Sequence, residues 1–236
     1  MSKNKAPIER PVAAAARTLQ ILDAFARTQR PLSLIELADE TGLFKSVILR
    51  YMISLEELSF VVKREDGRYQ VGTKALRLGR SFEKSMDQRE VIETAMKRMV
   101  QTTGESVFFY VCDGDNRMCV MGIDSPHVLR VTPRVGVLVP MDSTSISLVL
   151  RDYGAGVDES LIYDSSVLRA TEGEYDELTS SISVPIFKSA GAFLGSLSVS
   201  GPSVRFDSKD ERNQEKVLAE GRRLSTAFGF GAANVM

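Results

Sequence analysis

Along residues 12–26 apolar side chains recur every three or four positions, at Val12, Ala15, Leu19, Leu22 and Phe25, and predict a first helix with one buried stripe. Thr28 to Pro31 interrupts it. Ser33 with Glu36 three positions on has capping-box spacing, so a second helix starts at Leu34 and buries Leu34, Leu37 and Ala38. Thr41-Gly42-Leu43 turns the chain, with Gly42 supplying the positive φ of a sharp helix–helix turn. A third helix follows from about Lys45 to Leu58, with Ile48, Tyr51, Leu55 and Leu58 inward. The stretch FVVKREDGRYQVG then reads as two short strands joined by Asp66-Gly67, a hairpin signal. Three helices and a hairpin compose a winged helix-turn-helix, with Lys63, Arg64 and Arg68 at the tip of the wing.

The helical period returns over 73–103, with Asp87 and Glu90 in a second capping-box spacing, and predicts a helical linker. Beyond it SVFFYVC and RMCVMGI flank Asp113-Gly114-Asp115-Asn116 as a hairpin, HVLRVTP reads as a further strand, and SISVPIF and FLGSLSVS flank KSAGA as a second hairpin. Asp207 or Ser208 caps a last helix, whose buried face is Val217, Leu218, Leu224 and Phe228. The expected class is α+β. The expected divisions are a disordered start over 1–11, the winged helix over 12–72, linker helices over 73–103 and a second domain over 104–236.

Charge changes this picture more than composition does. Residues 1–80 hold 14 Lys and Arg against 9 Asp and Glu, whereas the remainder holds 16 against 22, so a net charge of −1 conceals a basic front and an acidic rear. The basic third suits a polyanion. At 236 residues and 43% hydrophobic, the chain is long enough for two modest cores. No apolar run approaches the roughly 18 residues of a membrane span, and the opening MSKNKAPIERP lacks a signal-peptide core, so a cytoplasmic protein with no membrane partner is expected. The only histidine, His127, and the two cysteines, Cys112 and Cys119, do not have zinc-ligand spacing. No cofactor is expected, and both thiols are read as buried and reduced.

The winged helix with PLSLIELADETGLFKSVILRYMISLEELSFV and DGRYQVG, the later RVGVLVPMDSTS and the closing VPIFKSAGAFLGSLSVSGPSVRF together resemble the IclR family of bacterial transcriptional regulators, from about residue 12 to residue 230. The resemblance implies a dimer or tetramer on a palindromic double-stranded DNA operator, as repressor or activator. It also implies a GAF-like C-terminal domain that binds a small effector, often a carboxylate or aromatic acid. On this reading Ser33, Lys45, Ser46, Val47 and Arg50, with Lys63, Arg64 and Arg68 on the wing, face DNA. Lys45 and Ser46 suit phosphate at a helix start, and Arg50 suits a guanine edge or a phosphate. Phe44 stands where the family often has Pro or Ser. Val47 and Leu49, unable to hydrogen-bond, are expected to meet thymine methyls or sugars.

The same resemblance places the effector near Arg134, Ser143, Thr144, Ser145, Ser181, Ser198 and Ser200. A helix start at Ser143–Ser145 suits an anion, and period two puts Ser198 and Ser200 on one sheet face. Asp142 stands where the family often has histidine, and its charge opposes a bare carboxylate. Ser181 stands where cysteine is common, and the family's acidic position falls on Glu172 or Glu174. Plainer readings compete, since hydroxyls at a helix start serve as caps and hydroxyls inside a sheet often satisfy one another. Functions of other classes are a serine-dependent hydrolase fused to a helix-turn-helix and a winged helix that binds only protein. Against the hydrolase stand the absence of a G-x-S-x-G elbow and of any histidine but His127; a Ser183–Lys188 or Ser189–Lys188 pair is the residual route.

Overall fold

The computed structural model describes residues 12–132 and 134–231, so the segment expected to be disordered, 1–11, lies outside the described residues. The chain forms two compact units that part between Met86 and Asp87. Both helices expected over 73–103 are present, and the division falls between them.

The first unit holds α1 (Ala13–Thr28), α2 (Leu34–Thr41), α3 (Lys45–Glu57), β1 (Val61–Lys63), β2 (Tyr69–Val71) and α4 (Thr73–Ser85). The capping box forms as expected: the Ser33 N–H donates to Glu36 Oε2 at 2.8 Å, and the Glu36 N–H donates back to Ser33 Oγ at 3.3 Å. Gly42 sits at φ 67° and its N–H closes α2 on the Ala38 carbonyl at 2.8 Å. The β1–β2 hairpin pairs Val61 with Val71, and Leu32 adds a bridge to Tyr69 that ties the wing to the start of α2. Ile21, Phe25, Leu37, Ile48, Met52 and Leu55 fill the core.

Two expected faces are rotated. On α1 only Ile21, Ala24 and Phe25 are buried, while Val12 and Leu19 are 70% and 60% exposed, because α2 and β2 cover only the C-terminal half of the helix. On α3 the inward residue is Met52, with Tyr51 half-buried, and Leu58 is exposed because the helix ends at Glu57 and carries it out of register.

The second unit holds α5 (Arg89–Thr103), β3 (Ser106–Asp113), β4 (Asn116–Ile123), β5 (Leu138–Pro140), α6 (Ser145–Tyr153), β6 (Arg169–Glu172), β7 (Thr179–Phe187), β8 (Phe193–Pro202) and α7 (Glu211–Ala227). Its six strands form one antiparallel sheet in the order β5-β4-β3-β8-β7-β6. Alternation along β7 and β8 explains how the layers assort. Ile182, Val184, Leu197 and Val199 are fully buried and belong to the face that receives α7, where Gly221 allows Val184 to approach. Ser181, Ser183, Ser198 and Ser200 lie on the other face, which receives α6. α5 buries Ile92, Ala95, Met96 and Met99 and packs on β3, β4 and α7.

Four expectations in this unit are corrected. HVLRVTP is not a strand: among its described residues Val128 and Leu129 are exposed, and the β4 edge is taken instead by β5, which pairs Val139 with Arg117. α5 has Gln88 at its N-cap and no side-chain cap, so the Asp87–Glu90 box does not form. α7 is capped by Asp210, which accepts from the Arg212 N–H; Asp207 caps the preceding turn through the Lys209 N–H. Its inward face is Val217, Gly221, Leu224 and Ser225, with Leu218 and Phe228 half-buried.

Candidate functional site

The first candidate face is the start of α3 with the wing. Phe44 occupies the N-cap with extended backbone (φ −66°, ψ 140°) and no capping side chain, so the first amides of α3 are free to meet an anion. Lys45, Ser46 and Arg50 are exposed and Val47 is half-buried. Lys45 and Arg50 pair with no carboxylate among the described residues. Phe44 is 81% exposed and Leu49 is exposed beside it, so the face is polar with an apolar edge.

The wing cations are less free than their sequence suggests. Arg68 Nη1 lies 3.2 Å from Glu36 Oε2 and donates to the Pro31 carbonyl at 3.3 Å, sharing Glu36 with Arg30. Ser33 itself is occupied as a cap. Arg64 lies 3.5 Å from Asp66 and donates to Gln70, and the Lys63 ammonium sits 5.9 Å from the Tyr69 ring centre. The Ser33 N–H and the Arg30 guanidinium hold the Glu36 carboxyl down at about 2.

The second candidate is a cavity in the α+β unit, of about 60 Å³. Its wall brings together Phe108 and Tyr110 of β3, Arg117 of β4, Val139 of β5, Thr144 and Ile146 at the start of α6, Ser181 of β7, Ser200 of β8 and Tyr175, with Val131, Thr132, Arg134 and Val137 from the segment before β5. Of the residues expected from sequence, Arg134, Thr144, Ser181 and Ser200 line it. Two arginines and no carboxylate stand in the lining.

The remaining expected hydroxyls are turned to the protein. Ser145 Oγ lies 2.9 Å from Ser181 Oγ and 2.8 Å from Ser183 Oγ, and Ser183 donates to Ser198 at 2.9 Å. Thr171 Oγ1 accepts from the Ser145 N–H at 3.0 Å and meets Ser181 at 3.1 Å. This chain of hydroxyls fastens the first turn of α6 to β6, β7 and β8. Ser143 is exposed and hydrogen-bonds Glu174, while Glu172 pairs with Lys209 at 2.9 Å, so neither acidic candidate lines the cavity. Ser200 is the strand hydroxyl left open to the cavity, with no partner among the described residues.

Sequence reasoning passed over Arg117. It sits on β4, where alternation turns it inward, and it is only 3% exposed. Its Nη2 lies 2.6 Å from Asp142 Oδ2, its Nη1 donates to Thr144 Oγ1, and its guanidinium carbon is 5.8 Å from the Tyr110 ring centre. Its buried Nε has no partner among the described residues. The signal available in the sequence was an arginine at a core-facing position of an otherwise apolar strand. Asp142 therefore does not present a bare charge. Burial alone raises its carboxyl, but donors on Thr144 and Ser147 together with the Arg117 charge outweigh that and hold it below the usual range. Burial pushes the Cys119 thiol up to about 12, whereas Cys112 is exposed and not buried as expected. No group of three or more metal-ligating side chains occurs among the described residues.

A winged helix-turn-helix followed by an α+β unit with a small internal cavity defines a class of DNA-binding transcription regulators. Residues 14–65 match the family model described as the IclR helix-turn-helix domain. The chain is 26% identical to the HTH-type transcriptional regulator KdgR of Escherichia coli K12 over 93% of its own length and 94% of that protein. It is 29% identical to the glycerol operon regulatory protein of Streptomyces coelicolor over 65% and 58% of the two chains. Its fold matches the crystal structure of an IclR regulator from Alicyclobacillus acidocaldarius with a TM-score of 0.75 at 19% identity, covering 93% and 100% of the chains. An IclR homologue from Microbacterium hydrocarbonoxydans, solved with 4-hydroxybenzoate, matches with a TM-score of 0.75 at 16% identity, covering 92% and 99%. Residues 14–65 thus carry a helix-turn-helix of the IclR type, and the relatives named here are described as transcriptional or operon regulators. No described helix is long and apolar enough to cross a membrane.

Proposed function

We propose that the chain binds a two-fold operator as a dimer or dimer of dimers, and that a small organic acid in the α+β unit modulates that binding. The observation that carries the ligand reading is a cavity walled by Arg117 and Arg134 over Phe108, Val131, Val137 and Ile146, with no carboxylate in its lining. Such a wall favours an anionic head on an apolar body. The 4-hydroxybenzoate of the Microbacterium homologue belongs to that chemical class. For DNA, Lys45 and the free amides of α3 suit phosphate, Arg50 suits a guanine edge, and Phe44 with Leu49 suits thymine methyls. Because Arg68 is engaged by Glu36 and Arg64 by Asp66, Lys63, which pairs with no carboxylate among the described residues, carries more of the wing's phosphate contact than either. The cytoplasm is the expected compartment. The test is to select bound fragments from random DNA, then titrate carboxylates against the selected operator. Recovery of a two-fold motif whose affinity shifts with an acid and not with its amide supports the reading, and failure to enrich any motif at low salt overturns it.

A further inference from the structure

The Arg117–Asp142 pair has the geometry of an occupied anion site. Paired side-on, a guanidinium offers Nε–H and Nη2–H as two parallel donors that match the two oxygens of a carboxylate. In Arg117 one half of that fork, Nη2, is held by Asp142 Oδ2 at 2.6 Å, while the other half, Nε, is buried without a partner among the described residues. A buried charged donor left unmet is costly to retain, and the Arg117 side chain that carries it is part of the cavity wall.

Asp142 is able to let go. Its Oδ1 accepts from the Thr144 N–H at 3.0 Å, the Thr144 hydroxyl at 2.5 Å and the Ser147 hydroxyl at 2.8 Å, so it stays hydrogen-bonded without Arg117. It is also half-exposed, so water can meet Oδ2 on release. Three of its ties lead into α6: the contacts to Thr144 and Ser147, and the Asp142 carbonyl accepting from Arg151 at 2.7 Å.

We infer that Arg117 binds the anionic group of the effector, and that Asp142 stands in for that group when the effector is absent. The incoming carboxylate takes Nε and Nη2 side-on and Asp142 gives up Nη2, while Nη1 keeps its bond to Thr144 Oγ1, so one of the two ties from β4 to the start of α6 is released. This rests on the organic-acid reading above and adds to it the residue that reads the charge and the internal competitor that sets the affinity. It also explains the aspartate at 142: a carboxylate there, instead of opposing the ligand outright, keeps the buried arginine neutralised until the ligand arrives.

The experiment is calorimetric titration of the full chain with propanoate, benzoate and 4-hydroxybenzoate, each against its amide. The expected result is that the wild type prefers at least one acid to its amide. Arg117→Gln weakens that acid by about tenfold or more and leaves the amide within about twofold. Asp142→Asn tightens the acid by about three- to tenfold, a gain that loss of a structural tie does not produce. The neutral double variant R117Q/D142N, which leaves no unpaired charge, stays folded and loses the acid preference. Retained acid preference in the double variant, or weaker acid binding in D142N, overturns the assignment of Arg117. If none of the acids binds the wild type, the organic-acid reading fails and this assignment fails with it.

Discussion

Single serines in the α+β unit look alike in the sequence but differ in what they touch. Ser198 is buried and accepts from Ser183, whereas Ser200, two residues on and on the same face, opens to the cavity. Ser198→Ala removes the Ser183–Ser198 bond and leaves the Ser183 hydroxyl only Ser145 to pair with, so it is expected to destabilise the unit by about 0.5–1.5 kcal/mol with little direct change in ligand affinity. Ser200→Ala is expected to alter stability by less than about 0.5 kcal/mol and to change effector affinity. Denaturant titration alongside ligand calorimetry separates the two, and equal effects from both variants would contradict the assignment. Glu36 gives a residue-scale pH prediction. Its folded-state carboxyl lies at about 2, below the ordinary 4.5, so the stability it contributes is fully present above pH 4.5 and is lost as pH falls toward 2. Glu36→Gln should therefore show a shallower loss of stability across that window than the wild type, measured by denaturation at successive pH values.

At the scale of elements, the DNA contacts proposed for α3 and the wing differ in the company their cations keep. Arg50 is exposed and free of carboxylates among the described residues, so Arg50→Ala should cost about 1–3 kcal/mol on the preferred operator and relax the preference at one base position. Arg68 bridges Glu36 and the Pro31 carbonyl, so its removal should loosen the wing's attachment to α2 and weaken all sequences alike. Comparing affinities on a library of single-base operator variants decides the matter: a uniform loss for Arg50→Ala would make it a phosphate contact. α6 is the corresponding element in the other unit. Its first turn is fastened to the sheet by the hydroxyl chain on one side and to β4 on the other, where Arg117 holds both Asp142 and Thr144, so the proposed exchange at Arg117 would release the Asp142 tie and leave the Thr144 bond and the hydroxyl chain intact.

For the whole molecule, the prediction is self-association. Val12 at the N-cap of α1, Leu19 on α1 and Leu76 and Leu78 on α4 are all exposed apolar residues of the winged-helix unit, more than isolated exposed leucines require. One α3 reads too few bases for operator specificity, so two copies on half-sites about one helical turn apart, or a multiple, are expected. Sedimentation of the full chain at micromolar concentration should show at least a dimer, and Leu19→Lys with Leu76→Lys should lower both the assembly and the operator affinity. A wild-type monomer that binds a single half-site with full affinity would remove the basis for the two-fold operator.

Local rules decided much of this protein within its sequence. The capping box at Ser33, the turn at Gly42, the Asp66-Gly67 wing and the two long hairpins each depend on neighbours within a few residues, and the winged helix was legible because every one of its signals is short-range. Period two likewise placed Ser198 and Ser200 together. What the sequence did not decide is which face of a periodic element another element covers. The α1 stripe begins at Val12, yet burial begins at Ile21, because coverage depends on where α2 and β2 dock. The strand expected at HVLRVTP is displaced by β5 because an edge accepts whichever segment reaches it. Arg117 is the sharpest case. Nothing adjacent marks it, since Asp142 and Thr144 come to it from 25 and 27 residues away, and only the packing of α6 on the sheet turns an arginine in a strand into a buried, half-satisfied guanidinium facing a cavity.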